Sequence, residues 1–231
     1  MRTLLTAPTA QPKMAKSAKS GVYLPYILHL APAEESGYNT CPMATEGCKA
    51  GCLNKTGHGQ LQSTQSARVR RTIAFYEQRA EFFAQLHKDI CAVQRKAIRE
   101  NKQLILRLNG TSDIRWEMYK PYNGKTIFQE FPNVIFYDYT KIPNRKIDGI
   151  PNYSLTFSRG EKNHQYTDLA IANGLNVAVV FRNSLPATWN GLPVIDGDVD
   201  DLRFLDPKNV IVGLKAKGRK AKEDTTGFVV D

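Results

Sequence analysis

The sequence has no long hydrophobic run. A membrane-spanning helix needs roughly eighteen or more consecutive apolar residues, and the 231-residue chain contains no such stretch. Near the N-terminus the apolar part is Leu4-Leu5, which is too short for the core of a secretory signal peptide. We therefore expect a cytoplasmic protein with no membrane partner, in a reducing compartment that favours thiolates over disulfides.

Several catalytic motifs are also missing. The chain has no glycine-rich phosphate loop of known form, no serine nucleophile elbow and no H-E-x-x-H motif. These absences argue against hydrolysis of a nucleoside triphosphate. The candidates that remain for chemistry are cysteine, acidic and basic side chains.

Cysteine is scarce, but three of the four cysteines fall within twelve residues. Cys41, Cys48 and Cys52 have the spacing C-x6-C-x3-C, which is neither a zinc ribbon's C-x2-C nor the C-x3-C-x2-C usual in radical-SAM enzymes. Thiolates this close can converge on one metal ion or on three corners of an iron–sulfur cluster. We predict a metal loop at 41–58 that binds zinc or a [4Fe–4S] cluster, with His58 as a candidate fourth ligand. Free thiols or a single disulfide are the alternatives, and Cys91 is expected in the core.

The charge is strongly positive. There are 32 Lys and Arg residues against 22 Asp and Glu, which gives a formal net charge of +10. Such an excess often marks a nucleic-acid partner. The competing interpretation is a solvated basic surface. Phosphate contacts are predicted for Arg68, Arg70, Arg71, Lys217, Arg219 and Lys220.

The pattern of apolar residues indicates an α/β fold. A helical stripe over 77–101 is followed by short apolar runs that alternate with helices or loops, which favours a mainly parallel sheet of about seven strands. We predict one domain over 22–231 with a small, irregular (β/α) barrel-like fold, and an open α/β sheet as the alternative. Residues 1–21 are expected to form a flexible basic arm, and Asp198, Asp200 and Asp201 a solvated acidic loop.

Polar residues follow the predicted strands, where sites form in both architectures. Three of these residues are aspartates that we expect to face one another, and paired carboxylates suit glycosidic chemistry. The alternative is that the aspartates cap helices or pair with arginines. The catalytic candidates are Asp113, Asp138, Asp196 and Lys141. The candidates for substrate binding are Asn109, Ser112, Arg182 and Lys215.

The run Thr40-Cys41-Pro42, then Ala44-Thr45, Cys48 and Cys52, resembles a bacteriophage protein family with a TCP-x-AT…C…C signature. A fainter similarity is to phage DNA-guanine transglycosylases of the DpdA type, which resemble the tRNA-guanine transglycosylases. Those enzymes are (β/α) barrels with an aspartate nucleophile, a second aspartate as acid/base and a three-Cys-one-His zinc site. Here the cysteines lie near the N-terminus, whereas that zinc motif lies near the C-terminus.

The fainter similarity implies an enzyme that exchanges guanine in DNA for a 7-deazaguanine base in the host-cell cytoplasm. Its partners would be DNA and a modified-base small molecule, and the target base would leave the stack. A second hypothesis is a radical-SAM-like enzyme, in which the three cysteines hold a [4Fe–4S] cluster with one open iron in a partial barrel. A third is a non-enzymatic nucleic-acid-binding protein with structural zinc.

Overall fold

One mixed sheet organises the part of the chain that the computed structural model describes, residues 2–10 and 12–231. Ten strands of these residues form the sheet in the order β1-β2-β3-β4-β5-β6-β9-β8-β7, with β10 alongside β6. The strands are β1 (Leu5–Thr6), β2 (Tyr23–Leu28), β3 (Gln103–Arg107), β4 (Ile135–Thr140), β5 (Tyr153–Ser158), β6 (Val177–Phe181), β7 (Thr188–Trp189), β8 (Leu192–Asp196), β9 (Ile211–Lys215) and β10 (Val229–Val230).

The central strands are parallel and follow one another across the sheet. Strands β2 to β6 lie side by side in chain order, then come β9 and β8, and every one of these pairs is parallel. Antiparallel β1 and β7 form the two edges. The predicted α/β class with mainly parallel strands is confirmed. Within the described residues no pairing joins the two edges, so the sheet is open and not a closed barrel.

Helices fill the intervals between strands. They are α1 (Pro12–Ala18), α2 (Glu46–Ala50), α3 (Gln62–Glu77), α4 (Arg79–Arg99), α5 (Ile127–Glu130), α6 (His164–Ala172) and α7 (Arg219–Lys222). Short 3-10 turns lie at Pro8–Ala10, Leu53–Lys55, Gly57–Gln60, Trp116–Met118 and Arg203–Leu205. Across the described residues, no helix has both the length and the apolar character needed to cross a membrane.

The main core lies between the sheet and the pair α3–α4. In α4 the apolar residues recur every three or four positions, and Phe82, Phe83, Leu86 and Ile90 are all buried. They pack against strand residues such as Leu106, which is fully buried. Burying a side chain of this size contributes about 1.5–3 kcal/mol. The predicted helical stripe is therefore confirmed as the face that covers one side of the sheet.

The N-terminal segment is not a flexible arm in its described residues. Leu5 pairs with Leu28 across the β1–β2 ladder, and Leu4 and Met14 are buried. The backbone N–H of Leu4 donates to the carboxylate of Asp89 at 2.6 Å. The prediction of a flexible arm was wrong because these few apolar side chains suffice to fix the segment. Positions 1 and 11 lie outside the described residues.

Strand β10 is inserted into the sheet at one end of β6. Strand β5 pairs with β6 only as far as Ala178, and β10 takes the same edge of β6 at Val180 and Phe181. The other edge of β6 is covered by β9 over its whole length. Among the described residues β10 pairs with β6 alone, and it extends the sheet at the carboxyl end of β6.

Candidate functional site

A cavity of about 550 Å³ opens at the carboxyl ends of the parallel strands. The last residues of β3, β5 and β9, which are Arg107, Ser158 and Lys215, lie in its wall. The segment after β2, with Cys41, Cys48 and Cys52, forms another part of the wall. Polar strand ends were predicted to surround one site. Some of the predicted residues lie in the wall of this cavity, and others do not.

The helix that carries Cys48 is held from both sides. The side chain of Thr45 accepts a hydrogen bond from the Cys48 N–H and so caps α2. The carboxylate of Glu161 accepts from the Gly47 N–H at 2.8 Å and from the Thr45 hydroxyl at 2.5 Å. A Cβ at Gly47 would collide with Thr226 and Phe228. Glycine at this position therefore lets α2 pack directly on the segment that leads into β10.

None of the three cysteines is in a disulfide, and all three are half-buried. Burial raises the pKa of all three, and that of Cys41 to about 11. Metal binding at such thiols releases protons. Among the described residues, no group of three His, Cys, Asp or Glu side chains converges closely enough to hold a metal ion. His58 is exposed and does not line the cavity.

The cavity lining is predominantly cationic. Seven basic side chains line it against three acidic ones. The basic residues are Lys13, Lys49, Lys55, Arg107, Lys141, Lys215 and Lys217, and the acidic ones are Glu34, Glu35 and Asp113. This balance favours an anionic ligand.

Lys141 is the most enclosed of these cations. Its ammonium donates to the Ser158 hydroxyl at 2.9 Å and to the Arg159 carbonyl at 2.9 Å, and it lies 5.1 Å from the centre of the Phe228 ring. Burial lowers the pKa of Lys141, while the neighbouring Cys48 and Asp113 act in the opposite direction. Lys141 thus places positive charge beside the Cys48 sulfur, which favours its thiolate form.

A buried network around Asp201, which we call the floor, contacts the cavity residues Lys13, Arg107 and Tyr139. This carboxylate accepts from Arg107 at 3.1 Å and lies 3.7 Å from the Lys13 ammonium. The hydroxyls of Tyr137 and Tyr139 each donate to it at 3.4 Å. Burial opposes its ionisation, but Arg107 and Lys13 outweigh that cost and its pKa is lowered. The prediction that Asp201 belongs to a solvated loop was wrong, because its charge is fully compensated inside the protein.

The three candidate catalytic aspartates are not brought together. Asp113 lines the cavity, where its carboxylate accepts from the Lys141 N–H at 2.8 Å. Asp138 is fully buried inside β4 and accepts from the Asn109 N–H and the Tyr153 hydroxyl, at 2.7 and 3.1 Å. Strand β4 extends to Thr140, so Asp138 does not follow the strand as the sequence suggested. Burial raises the pKa of Asp138 to about 7.

Asp196 lies outside this cavity. It ends β8, and its carboxylate is 3.9 Å from the Lys215 ammonium, with both side chains substantially exposed. Of the three candidate aspartates, only Asp113 therefore lines the cavity, where the other carboxylates are those of Glu34 and Glu35.

The candidates for substrate binding have divergent environments. The Asn109 amide is enclosed, since it accepts from Ser112, from the Ile114 N–H and from the Trp116 indole and donates to the Ile114 carbonyl. Arg182 holds the segment around β10, through Asp231 at 2.6 Å and the carbonyls of Lys222 and Asp224. Neither Arg182 nor its partners lie in the cavity wall, whereas the exposed Lys215 does.

The residues predicted to contact phosphates also differ in their environments. Arg68 is buried and donates to Asn54, so it is not available to a nucleic acid. Arg71 is half-buried and donates to the Thr3 carbonyl at 3.3 Å, while Arg70 is exposed. Lys217, Arg219 and Lys220 are all exposed.

Sequence reasoning missed several residues of the cavity. Arg107 could have been found by the strand-end rule, because it closes an apolar run. Lys13 and Phe228 could not, since they come from α1 and from the approach to β10, which have no strong sequence signal. Glu161, which orients the cysteine helix, looks like any surface glutamate in the sequence.

Fold and site together define an α/β protein with an open, mainly parallel sheet and a cysteine-lined, cationic cavity at its strand ends. The chain belongs to the family described as Gene product 88, whose family model matches residues 3–231. This is a family of the phage gene-product type, which confirms the resemblance to a bacteriophage family at that level. A search of curated proteins and a search of solved structures each find no match.

Proposed function

We propose that the protein is an iron–sulfur enzyme of the radical-SAM-like class, with Cys41, Cys48 and Cys52 as the ligands of a [4Fe–4S] cluster. One observation carries the proposal. The segment after the first parallel strand presents three thiols to one cavity at the carboxyl ends of consecutively ordered parallel strands. When bound, such a cluster supplies one-electron chemistry at an iron that no cysteine occupies.

A cluster and a single zinc ion need different spacings of their donors. At a Zn–S distance of about 2.3 Å, tetrahedral ligands lie roughly 3.8 Å apart. Cluster ligands each bind a different iron and therefore stand further apart. The three thiols share a cavity with room for a cluster, and three cysteine ligands leave one of its four irons open.

The chain's own residues would prepare this site. Glu161 and Thr45 fix the helix that carries Cys48, and Phe228 covers it from the side of β10. Lys141 offsets the negative charge of a bound thiolate. Arg107 lines the cavity and adds positive charge there, while Asp201 holds its guanidinium in place.

Base exchange in DNA has less support from the geometry. That chemistry needs two carboxylates flanking one glycosidic bond. Asp113 lines the cavity, but Asp138 is enclosed in β4 and Asp196 lies elsewhere. The other two acidic residues of the lining, Glu34 and Glu35, are bound to Lys49 and Asn54. We therefore prefer the cluster enzyme to the transglycosylase.

The test is anaerobic reconstitution with ferrous iron and sulfide, followed by iron and sulfide analysis and visible absorption. We expect about four irons and four sulfides per chain. Cys48→Ser should lose most of the iron, whereas Cys91→Ser, which alters a thiol outside the cavity, should retain it. Circular dichroism and urea unfolding of both variants separate loss of ligand from loss of fold. One tightly bound zinc without sulfide, or equal iron in both variants, would overturn the proposal.

A further inference from the structure

A second concavity of about 750 Å³ lies beside the cysteine-lined cavity. We call it the basic groove. The two spaces adjoin, since Gly51, Lys55, Lys217 and Ala221 line both. The basic groove is lined by residues 50–51, 55–57, 60, 65 and 217–221.

The charge of the basic groove has one sign. Four basic side chains line it, and its described lining contains no Asp or Glu. Lys217 is paired with Asp198 at 2.7 Å and Arg219 with Glu223 at 2.8 Å, both carboxylates lying outside the groove. In the described residues Lys55 and Lys220 are not part of any ion pair. Their charges are therefore available to an anion.

The groove is built by the same two segments that enclose the thiols. Gly218 has a positive φ of 79°, and a Cβ there would lie 2.8 Å from the methyl group of Thr56. The close approach at Gly218 joins the turn after Cys52 to the start of α7. Polar side chains at Thr56, Gln60 and Gln65 add hydrogen-bonding groups to the cationic walls. Cations with uncharged polar groups are the usual composition of a surface that binds phosphates.

We propose that the basic groove binds backbone phosphates of a single-stranded nucleic acid, one nucleotide of which enters the cysteine-lined cavity. The inference names the substrate class of the proposed enzyme and rests on that proposed function. The groove is larger than one phosphate requires, and four residues of its wall also line the cavity. Enzymes that act on a base must take it out of the stack, and grooves that track a single strand are positively charged. The formal net charge of +10 favours the approach of such a polyanion.

The first experiment measures binding by fluorescence anisotropy with labelled single strands of about 12 nucleotides, within the usual site size of such proteins. The protein is used as purified, without iron. DNA and RNA strands are separate arms, because both offer the same phosphodiester chemistry. The Lys55→Gln/Lys220→Gln variant should make the negative slope of log K against log salt less steep by about 1.4, since each single-strand phosphate contact contributes about −0.7.

The matched control is Arg95→Gln/Arg99→Gln, which removes the same charge from two exposed residues of α4. It should keep the parent slope. If both double variants bind the strands equally weakly, the attraction is spread diffusely over the protein surface and the proposed binding site in the groove is wrong. Negligible binding of both strands at about 50 mM salt would overturn it as well, because a site of several phosphate contacts is strong at that ionic strength.

A second readout reports on the cavity. Alkylation of Cys48 by iodoacetamide, followed by mass spectrometry, should slow several-fold when the strand is bound, while alkylation of Cys91 should not change. Inorganic polyphosphate should compete for the groove but protect Cys48 less, because it carries no base. Equal protection by polyphosphate would refute entry of a nucleotide. Since neither readout needs iron, failure of the cluster proposal would leave both results interpretable.

Discussion

The floor and the basic groove are both rich in charge, yet they are built in opposite ways. At the floor, Asp201 is buried and its partners Arg107 and Lys13 lie within 4 Å. In the groove, Lys55 and Lys220 are exposed and have no carboxylate in the wall beside them. Buried charges that satisfy one another fix a shape, whereas exposed charges of one sign remain available for a ligand. The floor therefore has a structural role, whereas the groove can bind a ligand.

The largest effect is expected from breaking the floor. Asp201→Asn keeps the side-chain shape but leaves Arg107 buried without its counter-charge. Such a loss typically costs about 3–5 kcal/mol in the free energy of unfolding, which urea denaturation measures. Asp148→Asn, at an exposed position, is the matched control and should leave that free energy unchanged. If the two variants unfold at the same urea concentration, the floor network does not stabilise the fold.

A smaller effect concerns Asp138, which is buried inside β4 and accepts a hydrogen bond from the Asn109 N–H. Its folded-state pKa of about 7 lies above the usual value of about 3.9 in an unfolded chain. The folded protein therefore holds an additional proton between these values, and the stability this gives is lost as the pH rises through about 7. From pH 5 to pH 8 the contribution should fall by roughly 2–3 kcal/mol.

Urea unfolding at several pH values tests this dependence. Asp138→Asn cannot ionise, so its unfolding free energy should vary less with pH than that of the parent over the same range. Asp148→Asn should follow the parent. A parent-like pH dependence in Asp138→Asn would assign the titration to another group.

The smallest effect on stability should come from the groove. Lys55→Gln and Lys220→Gln each remove an exposed charge outside any ion pair in the described residues, and surface changes of this kind have little effect on folding. We expect an unchanged urea midpoint in both variants, although their binding to single strands weakens. A clear loss of stability would show that these lysines hold the cysteine segment to α7, and the contrast with the floor would disappear.

Much of the fold was accessible from the sequence because buried parallel strands read as short apolar runs. The apolar run Val177–Phe181 coincides with β6, and α4 begins and ends within two residues of the helical stripe over 77–101. The apolar run Val134–Tyr137 stops short of the end of β4 at Thr140, and this error placed Asp138 after the strand instead of inside it. Local patterns indicate which segments pair, but they place the end of a strand only approximately.

The site was less accessible because its residues are matched over long sequence distances. The acidic run at 198–201 looks solvated until Arg107, Lys13 and the tyrosine hydroxyls are placed around Asp201. The cysteine cluster was visible as a spacing, but its packing against Phe228 was not. Arg68 illustrates the converse, since its charge suggested a phosphate contact while its burial against Asn54 made it structural.

The position of β10 has a consequence for the assembly of the site during synthesis of the chain. The thiol of Cys48 is covered by residues 216–229, which are translated long after it. Synthesis at about 5–20 residues per second leaves this thiol uncovered for roughly 10–40 s. During that interval the cysteine segment of the nascent chain is accessible both to metal ions and to oxidants. Closure then depends on a contact of high sequence separation, which places the final step of site assembly among the slow events of folding.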